Sequence, residues 1–322
     1  MTPSARVALL ATGGTIACTL DEDGRAVKTQ RAADLLAAAP VPPGVPVTGE
    51  DHGLHSSWDL APPAMLDVAG QVRRLAADSD GVVVTCGTDT LEEIAAFLSF
   101  AVDTDVPVVV TGAMRAADEP GADGPANLGA ALLVAADPAA RGRGALVAFA
   151  DEVHLATRVS KRHSAAPTPF GSPGGGPVGV AHDGRVTFLA PPSPPTRYAV
   201  AHADADVPLL TAAPGLPVRL VEAALAGADG LVVAGMGLGH LPSSWMPALG
   251  HAVRRGVPVV RATRTGAGPS AGRYAGPGGD VDAEERGLLR AGYRSPQLAR
   301  IELICALGAG ADPAAAFARP LP

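Results

Sequence analysis

The chain has 322 residues, enough for two domains with substantial cores, and 47 % of them are apolar. Lys and Arg number 25 against 32 Asp and Glu, a net charge of −7 with no long basic cluster, which excludes nucleic acid from the expected partners. No apolar run reaches bilayer length, and the short N-terminal one leads straight into a glycine turn, so neither a membrane span nor a signal peptide is expected; Cys18, Cys86 and Cys305, scattered and without a C-x-x-C pair, fit a reducing cytoplasm.

In chain order, the apolar VALLAT (7–12) reads as a buried first strand that leaves through Gly13-Gly14. Helical patterns follow at RAADLLAAA (31–39) and PPAMLDVAGQVRRLAAD (62–78), then a strand at GVVVTC (81–86) and a helix at TLEEIAAFLSFAV (90–102). The same rhythm continues through VPVVVTG (106–112), NLGAALLVAAD (127–137) and GALVAFA (144–150). Val-rich strands alternating with amphipathic helices predict an α/β fold, a doubly wound and mainly parallel sheet covered on both faces. The Gly- and Pro-rich SAAPTPFGSPGGGPVG (164–179) reads as an irregular loop or hairpin.

LAPPSPPTRYA (189–199) is dense in proline and reads as an extended linker. Beyond it VPLLTAA, PVRLVEAALAG, GLVVAGMG, SSWMPALGHAVRRG, VPVVRAT and SPQLARIELICALGAG repeat the alternation in shorter form. The expected organisation is an N-terminal domain over 1–190, a linker over 191–204 and a smaller parallel α/β domain over 205–322.

Ligands of open parallel sheets bind beyond the carboxyl ends of the strands, so the strand-end sequences carry the functional expectations. In ATGGTIA (11–17) two glycines precede Thr15, allowing a close backbone approach and placing a small hydroxyl where it can attack, cap a helix or cradle an anion. In TCGTDTLEE (85–93) Thr88 and Asp89 stand between a strand and a helix N-terminus. There Asp89 can cap the helix or bind an ammonium, and Thr88 can offer an N–H to an oxyanion. Lys161, in TRVSKRHS, is far away in sequence; buried beside Asp89 its lowered pKa would make it a base for a threonine hydroxyl.

Other matches compete less well. GPSAG (268–272) has the G-x-S-x-G pattern around Ser270 but lacks a preceding strand and a following helix. His52, His55 and Asp59 lack the spacing and context of a metal motif, so no metal is expected. AGMGLGH (234–240) has no acidic residue at the distance a nucleotide loop requires.

ATGGTIA, GTDTLEE, and GAMR followed by DGPANL occur in this order and together resemble the bacterial L-asparaginase family, with SPQLARIEL resembling its last long helix. The resemblance implies hydrolysis of asparagine, and in some members glutamine, without a cofactor. It also implies two α/β domains and a homotetramer built from close dimers. Thr15 matches the nucleophile, and Thr88, Asp89 and Lys161 the second threonine, the aspartate and the lysine of the family's other triad. Gly14, Ser57, Trp58, Thr88, Asp89 and Ala113 would line the amino-acid substrate, with Ser57 on the α-carboxylate and Asp89 on the α-ammonium. Asp280 and His240 fall where the neighbouring subunit approaches the substrate. The chain departs from the family in having no tyrosine between residues 18 and 35, where a mobile loop carries one; Tyr274 and Tyr293 are the candidate replacements. It also has Trp58 where glutamine is common and Cys86 where histidine is common. The stretch from Cys18 to about Thr29 is expected to act as a lid.

Overall fold

The computed structural model describes residues 5–321; residues 1–4 and 322, the outermost parts of the two expected domains, lie outside the described residues. The chain divides between Arg197 and Tyr198, within the proline-rich stretch.

In the first unit the chain runs β1 (Val7–Gly13), a hairpin of β2 (Cys18–Leu20) and β3 (Ala26–Lys28), α1 (Ala32–Ala38), β4 (Val47–His55), α2 (Pro62–Asp78), β5 (Gly81–Thr85), α3 (Leu91–Ala101), β6 (Val108–Thr111), α4 (Gly124–Ala136), β7 (Ala145–Phe149) and β8 (Glu152–Leu155). A short hairpin of β9 (Ser160–Lys161) and β10 (Phe170–Gly171) follows, then β11 (Gly179–His182) and β12 (Arg185–Phe188). Eight strands form one sheet in the order β12-β11-β8-β7-β6-β5-β1-β4. From β4 to β7 it is parallel, and β8, β11 and β12 extend it antiparallel through a tight turn at Ala150-Asp151, both with positive φ.

Alternation along the buried strands splits their side chains between two layers. Val7, Leu9, Val83, Val109 and Leu146 pack with Leu35 of α1 and with Leu128, Ala131 and Leu132 of α4. Ala8, Leu10, Val82 and Val84 point to the other face, where α2 and α3 pack together. The sheet is therefore doubly wound, as expected. Because β1 lies between β4 and β5, strand order reverses at β1, and the crevice at this switch point opens beyond the carboxyl ends of β1 and β5.

Two elements were not expected. β4 (VTGEDHGLH) is an edge strand with most of its side chains partly or fully exposed, so its polar sequence carries no burial pattern. The stretch expected to act as a lid is the β2–β3 hairpin, docked rather than open. Cys18 O accepts from Ala117 N at 2.8 Å, Leu20 N donates to the Asp118 carboxylate at 3.0 Å, and Thr29 N donates to Ala17 O at 2.9 Å.

The second unit holds β13 (Leu209–Thr211), α5 (Arg219–Ala224), β14 (Leu231–Gly235), α6 (Met246–Arg254), β15 (Val259–Thr263), α7 (Asp280–Glu285), β16 (Leu289–Arg290), α8 (Pro296–Gly308) and α9 (Pro313–Ala318). Its four-stranded sheet runs β13-β14-β15-β16, all parallel. Leu231, Val233 and Val259 pack against Trp245, Met246 and Leu249 on one side. On the other side lies α8, whose Ser295 cap accepts from Leu298 N, an arrangement that contributes about 1 kcal/mol. The buried Glu302 on that helix is bonded by Arg294 and by the Tyr198 hydroxyl.

Candidate active site

Three strand ends of the first unit converge, and small residues allow it. Gly13 and Gly14 have φ of 103° and 86°, in the region that disfavours a Cβ. A Cβ on Gly14 would lie 2.2 Å from Gly87 N, and one on Gly87 would lie 2.4 Å from Ser57 Oγ. The turn after β1, the turn after β5 and the segment after β4 thus touch one another through two glycines. A Cβ on Gly112, after β6, would meet Cys86 O at 2.5 Å, which brings a fourth strand end to the same place. Gly14→Ala is accordingly expected to destabilise the protein by at least about 2 kcal/mol, from backbone strain and overpacking together, read as a lower denaturant midpoint with an unchanged slope.

Thr15 opens a single 3₁₀ turn, Thr15–Ala17, in which Ile16 and Ala17 are buried while Thr15 stays partly accessible. Among the described residues no side chain is hydrogen-bonded to its hydroxyl. Thr88 follows directly after Gly87, so the two threonines flank the contact between Gly14 and Gly87.

The turn after β5 carries an ionic cluster. Lys161 Nζ donates to Asp89 Oδ1 at 2.8 Å and to Thr88 Oγ1 at 3.0 Å, across 72 and 73 residues of sequence. The lysine side chain is 14 % exposed and the aspartate 56 %. Asp89 does not cap α3: the cap position is Thr90, whose side chain makes no capping bond and instead donates to Ser57 O at 2.8 Å. Oδ1 of the carboxylate is bonded to Lys161, and the Thr90 hydroxyl beside it ties α3 to the Ser57 segment.

Sequence reasoning missed the residues that hold Lys161. Glu92, in the first turn of α3, accepts from Lys161 N at 3.3 Å. Burial pushes its carboxyl up from the usual range, with Ser160 and the Lys161 N–H acting in the opposite direction. The neighbouring strand is anchored by a buried contact of His154 Nδ1 with Ser172 Oγ at 3.0 Å, and burial holds this imidazole below its usual range. The Glu-Glu pair following GTDTL is the one signal that was available for Glu92; His154 left none.

The remaining first-unit residues line the convergence. Ser57 is buried and opens a 3₁₀ turn, Ser57–Asp59, while Trp58 next to it is 70 % exposed. Ala113 is fully buried after β6, in a loop held where Met114 N and Arg115 N donate to Asp123 and Asn127 Nδ2 donates to Gly112 O. Cys86 is a packed thiol, pushed by burial up to about 12, and so carries no thiolate chemistry.

His240 and Asp280 belong to the second unit, where they are bonded to each other at 3.2 Å. Asp280 is held from several sides within its own unit. Its side chain is fully buried, Arg261 Nη1 donates to Oδ1 at 2.5 Å, and Arg273 N and Tyr274 N donate to Oδ2 at 3.1 and 3.3 Å. Burial alone would raise this carboxyl, but those N–H groups and the guanidinium hold it below the usual range. Both oxygens are occupied, and Oδ2 also meets His240 Nε2. The Tyr274 ring stands edge-on to His240 with centroids 4.9 Å apart, and Tyr293 is exposed.

The competing motifs do no such assembling. Ser270 lies in coil with its hydroxyl bonded to Gly292 N. The ring of His55 is bonded to His52 O, and among the described residues no group of three His, Cys, Asp or Glu side chains is placed to hold a metal ion.

A threonine at a glycine turn and a Thr-Asp-Lys cluster thus stand on either side of the Gly14–Gly87 contact at the switch point of a doubly wound sheet, an arrangement suited to polar chemistry on a small ligand. Comparison with known proteins makes the class specific. The asparaginase N-terminal family model matches residues 6–194, and that of the glutaminase/asparaginase C-terminal domain matches residues 206–317. The chain is 38 % identical over 317 residues to a probable L-asparaginase of Deinococcus radiodurans, covering 95 % of this chain and 94 % of that one. It is 34 % identical over 324 residues to L-asparaginase 2 of Escherichia coli, covering 95 % and 90 %. It is also 34 % identical over 284 residues to a glutaminase-asparaginase of Pseudomonas fluorescens, covering 83 % and 77 %. The chain belongs to the asparaginase family and is an amidohydrolase.

Proposed function

We propose that this protein is an L-asparaginase, hydrolysing L-asparagine to L-aspartate and ammonia through an acyl-enzyme on Thr15. The observation that carries the reading is the Lys161 ammonium shared between Thr88 and Asp89, next to the Gly14–Gly87 contact that Thr15 and Thr88 adjoin in the chain. Thr15 Oγ attacks the side-chain amide carbon, the C–N bond breaks and ammonia leaves with the added proton; water then attacks the ester and restores the hydroxyl. Thr88, Asp89 and Lys161 orient the water and move its proton, and the Thr88 N–H faces the developing oxyanion. Ser57 takes the α-carboxylate and Asp89 the α-ammonium, with Gly14, Trp58 and Ala113 completing the lining. His240, held by Asp280, serves a neighbouring copy in a homotetramer of close dimers. Three free and buried thiols support a cytoplasmic location.

A glutaminase-asparaginase is the second reading, supported by the double name of the C-terminal family and by the Pseudomonas relative of that name. The test of both is ammonia release from L-asparagine and from L-glutamine by the purified protein. Faster release from asparagine is expected. Equal rates favour the second reading. No release from either, with thermal stabilisation by the amino acids, replaces both with an amino-acid-binding sensor.

A further inference from the structure

The amide chemistry makes no use of Lys28, a cation next to the Ser57 segment. Lys28 ends β3, is partly buried, and has no carboxylate partner among the described residues. Its Nζ donates to Ser56 Oγ at 2.6 Å and lies 5.8 Å from the centroid of the Trp58 ring. Across the hairpin Lys28 pairs with Cys18, whose thiol lies 3.4 Å from Gly14 O. Burial raises that thiol and the Lys28 charge partly offsets the rise, which places the ammonium within electrostatic reach of the Gly14–Cys18 turn. One cation therefore stands between the turn that carries Thr15 and the segment that carries Ser57, the two segments that meet at Gly87.

An ammonium has three donors, and Ser56 takes one of them. Among the described residues its partners are a neutral hydroxyl and an aromatic face rather than an anion, so a carboxylate brought in from solution gains a charge-assisted bond without displacing an ion pair. We propose that Lys28 is a specificity-determining residue that binds the substrate's α-carboxylate from the hairpin side, opposite Ser57, so that the site selects free amino-acid amides over α-amidated or peptide-linked ones. The proposal rests on the amidohydrolase reading of the Thr15 site and adds to it a ligand for a named group of the substrate.

The experiment compares wild type, K28M and K28R on L-asparagine and on its α-amide, L-aspartic acid diamide. K28M is expected to narrow the kcat/KM preference for asparagine over the diamide about tenfold, mainly through KM, with K28R restoring most of it. Loss of the same factor on both substrates marks a clip that merely holds the hairpin and overturns the proposal, as does an unchanged preference. Wild-type protein that releases no ammonia overturns the amidase reading instead. Thermal stabilisation by L-aspartate against L-isoasparagine, whose α-carboxylate is amidated, then decides Lys28 separately. A preference for L-aspartate that K28M abolishes keeps the carboxylate contact, and equal stabilisation by the two ligands in wild type and K28M removes it.

Discussion

Thr15→Ala is expected to reduce ammonia release from L-asparagine by about a thousandfold or more while the protein stays folded, because removing a nucleophile deletes the covalent route rather than weakening it. The fold should tolerate the change: Thr15 is only partly buried and its hydroxyl anchors no described side chain. Its φ/ψ are set by the glycines before it and the 3₁₀ turn it opens, which alanine also accepts. Unfolding midpoints of variant and wild type should therefore agree closely. Binding of L-aspartate should survive as well, since the proposed carboxylate and ammonium contacts come from other residues. Mass spectrometry of rapidly quenched wild type should place an aspartyl adduct on the peptide containing Thr15. An adduct on the peptide containing Thr88, or normal turnover by Thr15→Ala, would transfer the nucleophile's role.

Lys161→Met is expected to lower kcat by about 10²- to 10⁴-fold, the range that a positioned proton-transfer group contributes. The geometry also separates this loss from a structural one. The Lys161 backbone, not its side chain, bonds Glu92 and pairs with Phe170, so the strand should keep its place when the ammonium goes. The bond to Asp89 is mostly solvent-facing on the aspartate side, and such pairs contribute up to about 1 kcal/mol, so the effect on stability should be small. Asp89→Asn should behave differently, raising KM as well, because Asp89 is also the proposed partner of the substrate's ammonium. Equal kcat and KM changes in the two variants would mean that the pair acts only as a prop for Thr88.

The parallel core was readable because its strands are buried on both faces and so appear as uninterrupted Val-rich runs. The edge strand over Val47–His55 was not, because exposure removes the burial pattern on which such readings depend. The docked hairpin over residues 18–28 looked like a loop for a related reason: each strand is three residues long, and its anchors are backbone groups and Asp118, which is 98 residues away from Leu20. Thr15 and Thr88 stood out through neighbouring glycines whose conformational freedom is local. Asp89 was open to two roles, capping or ion pairing, and only the arrival of Lys161 decides between them. The partners of Asp280 were equally hidden in the sequence: Arg261 and the N–H groups of Arg273 and Tyr274 reach its buried carboxylate.

The amino-acid sequence by itself determined the α/β class, the two-part division, the glycine turns and the residue types available for amide chemistry, since each follows from periodicity, proline content or a single residue's backbone freedom. Tertiary structure alone decided that Gly14 packs on Gly87, that Lys161 reaches Thr88 and Asp89, that Glu92 and His154 hold the strands of its hairpin, and that Lys28 bonds Ser56 in Ser57's segment. Those relations join groups tens of residues apart, and no local pattern encodes them: they exist only once strand order brings the ends of β1, β4, β5 and β6 together.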